Sequence, residues 1–463
     1  MQKESIITIP DTKVFDRYIE LDFNEFTSYF VGSNDIEESN YFLNSLWRNF
    51  DEELSPIGLE RCPWYYIPQK ISIKQLTVTY FGSVRTQVGY FHIAVSYKNK
   101  GNINNIHFFP FESTINKTEI NSLLKGLVKK AKKEIELKFN YIVSCKLIGK
   151  FAGETEDINL LDYVSDIYIL KDSVLHFAVY AQDITDAKGI ASIKLRSIIN
   201  FLAVETNLYF IYESLDIQET AVKYAPNDTE VQSTFQEDLG YDITGYQKDR
   251  FIDFYPFIDG ATLLSKDGKE FIVRIIRTKI GSDSNLNIFL NACYHFREGV
   301  KRELLIVNRN AVIGERMYYK AVEKGQVEMQ TIIDSTVTHY LSSIETATLI
   351  GNTAEKCENC GQLKFQINKR VYEFINLYLW KTHGDIFKMI YNLRSLYLHK
   401  GISYSKNHDT DTRPLLDNNT GTGSIDYNCI TLSVKGRAIG ISVDNIREWT
   451  GYALRNFYKD STF

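Results

Sequence analysis

The 463-residue chain carries 53 Lys plus Arg against 58 Asp plus Glu, a formal net charge of -5, with 44% hydrophobic and 24% charged residues. That is ordinary globular composition. It argues against long disorder, and the length suggests two or three domains rather than one. The negative balance excludes a globally basic nucleic-acid binder, so any RNA contact must come from a local patch.

Met1–Phe15 is mixed polar, not a basic start followed by an apolar run, so no signal peptide is expected. No apolar stretch reaches the length of a membrane span. The six cysteines are too sparse for a disulfide scaffold, and a reducing, cytoplasmic setting is expected. Ile71–Phe81 and Gln87–Tyr97 read as strands, with Val88, Tyr90, His92 and Ala94 on one face of the second and Gly82-Ser83 in the turn between them. Thr118–Leu137 reads as an amphipathic helix on the stripe Ile120, Leu123, Leu124, Leu127, Val128, Ala131 and Ile135. Its outer positions Lys125, Lys129, Lys130, Lys132 and Lys133 form the most basic stretch in the chain. They can track a phosphate backbone, or simply solvate a helix face. Phe139–Ile148 reads as a further strand.

In the middle of the chain, Asp166–Leu170 and Val174–Tyr180 look like strands joined by a Lys-Asp-Ser turn, and Asp186–Val204 like a helix. Tyr209–Tyr212 suggests a short strand, Pro226–Gln247 a polar, acidic loop, and Phe271–Arg277 a short apolar strand. From about residue 281 the pattern becomes helical, through Leu286–Glu303, Val327–Leu349, Phe365–Trp380, Ile386–Leu398 and Val443–Tyr458, with a loop-like interruption at Ser403–Asp426.

Cys357 and Cys360, in Cys-Glu-Asn-Cys-Gly, have the knuckle spacing of structural zinc. No second such pair exists, and Cys429, His383 and Cys293 do not stand at ligand spacing. Two reduced thiols in a turn between helices is the competing reading. Trp64-Tyr65-Tyr66 offers rings for base stacking, or for a core. Neither a phosphate-binding glycine loop nor a nucleophile elbow is present.

The stretch with most chemical content is Tyr391-Asn-Leu-Arg394-Ser-Leu-Tyr-Leu-His399-Lys-Gly401. Arginine clamps phosphate with a fork of permanent donors, and histidine exchanges protons near neutrality. Together they form a minimal kit for cleaving RNA without metal. On a regular helix Arg394 and His399 point about 140° apart. Asn392, Ser395 and His399 share one face, and Arg394 lies toward Ile390, Tyr397 and Leu398. A snorkelling arginine and a histidine at a helix C-terminus are the ordinary structural alternative.

This segment resembles the Arg-x4-His ribonuclease motif of HEPN domains, most closely the Apea-like HEPN group, with Lys400 between His399 and Gly401 as a departure. Asn287–Glu298 looks like that family's first helix, Ser342-Ser-Ile-Glu345 in Thr338–Leu349 like its "(S/A)-x-E" helix, and Gln366–Val371 like the next helix. The resemblance covers about residues 281 to 463. It implies a C-terminal all-α HEPN-like helical bundle and does not extend to the first 280 residues, whose own pattern suggests a mixed α/β region of one or two subdomains (1–160 and 161–280), so the expected fold class is α+β.

It further implies a metal-independent endoribonuclease in which Arg394 holds the phosphate and His399 moves the proton, with Asn392 and Ser395 orienting substrate. The 2′-hydroxyl would attack its own 3′-phosphate and leave a 2′,3′-cyclic phosphate, which excludes DNA. No cofactor is expected for catalysis, and a zinc at Cys357 and Cys360 would be structural only. A homodimer with motif helices face to face would place two cations and two imidazoles around one phosphate. The setting implied is antiviral or abortive-infection defence, with the N-terminal region sensing a trigger or restraining a toxic nuclease. The alternative from another class is a non-catalytic HEPN dimerisation or nucleotide-binding scaffold. A DNA-binding regulator is disfavoured by the net charge.

Overall fold

The structure, a computed structural model, describes the chain apart from residues 1–5, 11–17, 23–26, 55–67, 71–76, 98–100, 114–115, 136–137, 151–156, 221–256, 259–260, 280, 308–311, 314–315, 318–325, 352–366, 380, 402–414, 417–422, 425–428, 435–436 and 461–463. The described residues form a mixed α/β protein. It divides into two compact units, Met1–Phe139 with Tyr180–Asp183, and Asn140–Val179 with Ile184–Phe463. The sequence pattern instead suggests boundaries at 160 and 280. The difference arises because the strand that begins at Phe139 pairs with Tyr209–Thr220 across residue 160, and Arg455 and Tyr458 near the C-terminus donate to the Val204 carbonyl and the Glu205 carboxylate across residue 280.

The first unit begins with a hairpin of β1 (Ile6–Pro10) and β2 (Tyr18–Asp22). Its main sheet is antiparallel, built from β3 (Thr27–Phe30), β4 (Pro68–Lys70), β5 (Thr77–Thr86), β6 (Gly89–Tyr97) and β7 (Ile103–Ser113) in the order β3-β7-β6-β5-β4. Helices α1 (Ile36–Leu54) and α2 (Lys117–Glu134) supply Phe42, Leu46, Phe50, Leu124 and Leu127 to a core shared with Phe91, Ile93 and Val95 of β6. His92 and Ala94, on the opposite face of β6, are buried too, so this strand is covered on both sides rather than on one. Gly82 and Ser83 do not form the turn. They lie inside β5, where the register shifts between Tyr80 and Gly82, and the turn falls at Gln87-Val88. A glycine inside a strand accommodates such an irregularity as readily as it makes a turn.

In the second unit, β8 (Phe139–Lys150) lies in a sheet of order β10-β11-β12-β8-β13, with β10 (Tyr163–Val164), β11 (Tyr168–Lys171), β12 (Val174–Ala181) and β13 (Tyr209–Thr220). A short β9 (Asn159–Leu160) pairs parallel with Ala261–Thr262. Asp172 and Ser173 connect β11 to β12 with φ of 50° and 60°, the left-handed geometry that a two-residue hairpin turn requires. Helix α3 (Ile184–Thr206) is buried almost all round in its second half.

The segment Phe271–Arg277 is helical, not a strand. It belongs to α4 (Lys266–Arg277), whose first turn is capped by the Ser265 side chain accepting from the Gly268 N–H. Phe271, Ile272, Ile275 and Ile276 are buried, a helical spacing that a short apolar window disguises as a strand. The buried Lys194 ammonium of α3 donates to the carbonyls of Ile275, Ile276 and Thr278, closing the C-terminus of α4.

The remaining helices among the described residues are α5 (Ser284–Val307), α6 (Gln326–Ala347), α7 (Ile367–Tyr378), α8 (Lys381–Lys400) and α9 (Val443–Asp460). The region is not all-α. A hairpin of Cys429–Val434 with Arg437–Ser442 precedes α9. Its Ile430, Leu432 and Val434 alternate with Thr431 and Ser433, a period of two that favours a strand. Pro226–Gln247, Trp64–Tyr66 and most of Ser403–Asp426 lie outside the described residues.

Helices α5, α6 and α9 meet at a buried ion pair. Glu303 of α5 is 1% exposed, lies against Nη1 of Arg447 from α9, and accepts from the Tyr340 hydroxyl of α6 at 2.5 Å. Gly299, one turn before Glu303, leaves room for the Tyr340 ring; a Cβ there would collide with it. Removing one member of such a pair strands the other charge in the interior. Glu303→Ala is therefore expected to lose about 3–5 kcal/mol of unfolding free energy. Urea denaturation followed by circular dichroism measures this; a loss under about 1 kcal/mol would show that the pair does not hold the three helices.

Candidate functional site

Helix α8 carries the Arg-x4-His segment. Phe387 and Ile390 are fully buried and anchor its middle. Gly401, with φ of 67°, ends it, and the Gly401 N–H donates to the Tyr397 carbonyl at 2.9 Å. That left-handed closure suits glycine.

The two chemically competent residues of this helix have different surroundings. Arg394 is half-buried and turned toward α6. Its Nη2 lies 3.0 Å from Oε2 of Glu345 and donates to Oγ of Ser342 at 3.2 Å. Its Nη1 donates to the Tyr391 hydroxyl at 3.1 Å, and its guanidinium sits 5.3 Å from the centre of the Tyr391 ring. Its Nε is buried with no hydrogen-bond partner among the described residues. His399 is exposed, as are Asn392 and Ser395, which lie on the same outer face at steps of three and four. Asn392 accepts from the Asn368 amide of α7 at 3.1 Å. Among the described residues, no hydrogen bond or ion pair joins His399 to Arg394.

Arg394 belongs to a polar seam between α5, α6 and α8. Helix α6 contributes His339, Ser342 and Glu345 at steps of three, and α5 contributes His295, Glu298 and Arg302 at steps of three and four. The two helices are fastened one turn away by the buried Ser343 hydroxyl, which donates to the Ala292 carbonyl at 2.8 Å. The rings of His295 and His339 stand 6.0 Å apart, centre to centre, at 33°. Burial lowers the pKa of His295, with Glu345 and Glu298 acting to raise it and Arg394 to lower it. His339 is lowered too, by burial first, then by Arg302 and His295. Burial raises the Tyr391 phenol, and the nearby Glu345 adds to that. Burial thus biases both imidazoles toward the neutral form, in a seam where the carboxylates of Glu298 and Glu345 stand with the guanidinium groups of Arg302 and Arg394.

This is an arrangement that can receive an anion. A phosphate entering the seam would compete with Glu345 for the Arg394 fork, and two neutral rings stand close by to accept a proton or donate an N–H. The sequence motif points to Arg394 but not to the residues around it. Glu345 and Ser342 stand out in the sequence only as part of a helix pattern, and His295 and His339 have no site spacing there. The available signal is the polar stripe on each of two apolar helices.

The other sequence candidates fall elsewhere. Lys125, Lys129, Lys132 and Lys133 are exposed on α2, whereas Lys130 is held by Glu52 and Glu53 of α1, each at 3.2 Å. Lys132 also donates to the Phe30 carbonyl at 3.3 Å and lies over the Phe30 ring. The basic stretch is therefore partly spent on its own unit. Cys357 and Cys360 lie outside the described residues. Cys293 is buried, with its thiol pushed well up by burial, and His383 packs edge-on against Trp449. Among the described residues no cluster of three or more His, Cys, Asp or Glu is placed to hold a metal ion. None of the described helices is long and apolar enough to cross a membrane. No protein-family model, curated protein or solved structure matches the chain.

Proposed function

We propose that the chain is a metal-independent endoribonuclease of HEPN type, with residues 281–463 as its helical catalytic region. The observation that supports this reading is the placement of Arg394 in a polar seam, 3.0 Å from Glu345, with His399 about 7.5 Å farther along the same helix at its solvent end. In this reading Arg394 exchanges Glu345 for the scissile phosphate and stabilises the charge that builds on its oxygens. His399 transfers a proton at the reacting oxygens, and Asn392 and Ser395 orient the substrate strand. The 2′-oxygen bonds to phosphorus as the bond to the 5′-oxygen breaks. RNA is the substrate, the cytoplasm the setting and antiviral defence the role, with the N-terminal region restraining the nuclease until a trigger binds.

The scaffold reading has its own supporting observation. Arg394 already has Glu345, Ser342 and Tyr391 as partners, which is what an arginine that only fastens α8 to α6 would have. Arg394→Ala separates the two. The nuclease reading expects cleavage of mixed RNA to fall at least about 100-fold, with cleavage by the wild type surviving excess EDTA. His399→Ala should lose activity similarly while keeping the wild-type melting temperature, since His399 is exposed. Full RNase activity in folded His399→Ala, or activity that vanishes with chelator and returns with magnesium, would overturn the mechanism.

The active form in this reading is a symmetric homodimer joined through residues 281–463. Leu377 of α7 and Leu398 of α8 are 72% and 51% exposed, apolar surface suited to a second copy. Light scattering is expected to give twice the chain mass. A monomer that cleaves RNA at full rate would rule the dimer out as a requirement.

A further inference from the structure

Helix α2 has two faces of opposite character. Ile120, Leu124, Leu127, Val128 and Ala131 are buried in the core of the first unit. Lys125, Lys129, Lys132 and Lys133 are exposed on the far side, within an arc of about 100°. Glu134 lies off that arc and is taken by Arg48 and Asn49 of α1. Lys130 lies off it too, held by Glu52 and Glu53. Glu136 is outside the described residues. Lys125, Lys129 and Lys133 form no ion pair among the described residues. Their spacing of four sets like charges side by side, where a carboxylate would stabilise the helix and a second ammonium repels. In a chain of net charge -5, this stripe runs against the overall balance.

An exposed aromatic ring borders the stripe. Phe30 ends β3, the edge strand of its sheet, and is 61% exposed. Strand β3 is fastened along α2. The Thr27 hydroxyl donates to Oδ1 of Asn121 at 2.7 Å, and the Tyr29 hydroxyl donates to the Asn121 carbonyl at 2.8 Å. Nζ of Lys132 donates to the Phe30 carbonyl at 3.3 Å and stands 5.2 Å from the centre of its ring. Gly32, with φ of 73°, leaves the space that the ring occupies, and a Cβ there would collide with it. Burying a phenylalanine is favourable, so a ring held in water by specific contacts suits a partner that covers it.

We propose that this surface of the first unit binds a single-stranded nucleic acid, with phosphates along Lys125, Lys129 and Lys133 and a base stacked on Phe30. The inference goes beyond the cleavage reading and does not depend on it. Lysines four apart on a helix rise about 6 Å from one to the next, close enough for flexible ammonium groups to meet neighbouring phosphates of one strand. A polyanion turns the repulsion along the stripe into attraction and releases its own counterions. A base offers its flat face to a side chain only when it is unstacked, so the strand must be single. An anionic lipid surface would satisfy the lysines equally, but any apolar side chain would then serve in place of Phe30.

The test is fluorescence anisotropy of the full-length protein with a labelled single-stranded 2′-O-methyl RNA, which attack by a 2′-hydroxyl cannot cleave, over a range of salt concentrations. Each phosphate contact on a single strand contributes about -0.7 to the slope of log affinity against log salt. Changing Lys125, Lys129 and Lys133 together to Gln is expected to flatten that slope by about 2 and to weaken binding at low salt by at least about tenfold. Phe30→Leu keeps apolar bulk and removes the aromatic face. It is expected to weaken binding about fivefold or more with the slope unchanged, and to leave binding of the matching duplex as it was.

A wild type that binds no single strand, a salt slope unchanged in the triple lysine variant, or a Phe30→Leu chain that binds as wild type each overturns the inference. Vesicles containing phosphatidylserine, bound with the same dependence on the three lysines and indifferent to Phe30→Leu, would assign the surface to a membrane instead. Should circular dichroism show a variant to be unfolded, the wild type is photocrosslinked to a bromouridine-bearing strand and the attached peptide identified by mass spectrometry. Attachment is expected on the peptide that holds Phe30, and crosslinks confined to residues 281–463 overturn the inference. Because the strand is not cleaved, failure here leaves the ribonuclease reading of Arg394 and His399 standing. A chain that binds as expected and cleaves no RNA overturns only that reading.

Discussion

The contact between Arg394 and Glu345 organises the chemistry of the second unit. A guanidinium placed between helices loses its water, and that loss is tolerable only if an anion and hydrogen-bond acceptors replace it. Glu345, Ser342 and Tyr391 supply them. The requirement fixes the rotation of α8 about its axis. With Arg394 facing α6, the face bearing Asn392, Ser395 and His399 must face outward, as their exposure shows. The arginine is thereby buried and electrostatically balanced, while the histidine five positions on is solvated.

Two ion pairs in this unit differ in a way that bears on function. Glu303 and Arg447 are almost wholly enclosed, and Tyr340 completes the carboxylate. Together they tie three helices. The pair formed by Arg394 and Glu345 is more open, with side chains 15% and 23% exposed, and Nε of Arg394 has no partner among the described residues. Enclosure costs a charge its water, so a buried pair holds helices together only where its hydrogen bonds are complete. Nε of Arg394 and Oε2 of Glu345 each lack a hydrogen-bond partner among the described residues, so this pair is the less completely satisfied of the two.

Much of the framework is legible in the sequence because apolar spacing reports burial directly. The stripe of α2 and the helices α5, α6, α8 and α9 are readable from steps of three and four, with ends off by a few residues. Failures come where a short window is ambiguous. Phe271–Arg277 reads as a strand until Ser265 is recognised as its cap, and Gly82 reads as a turn although β5 continues through it. The site is half legible. Arg394 and His399 stand together in the sequence, but Glu345 and Ser342, which hold Arg394, come from a helix that only tertiary packing brings to α8. Pairwise spacing within the chain cannot report a contact between two separate helices.

The nature of the RNA ends tests the central claim most directly. Cleavage products of a defined RNA are resolved by mass spectrometry, beside the same oligonucleotide carrying 2′-O-methyl groups throughout. The expected result is a 2′,3′-cyclic phosphate on one fragment and a 5′-hydroxyl on the other, with the methylated strand left intact. Fragments bearing a 5′-phosphate, or cleavage of the methylated strand at a comparable rate, would contradict attack by the 2′-hydroxyl and with it the roles proposed for Arg394 and His399.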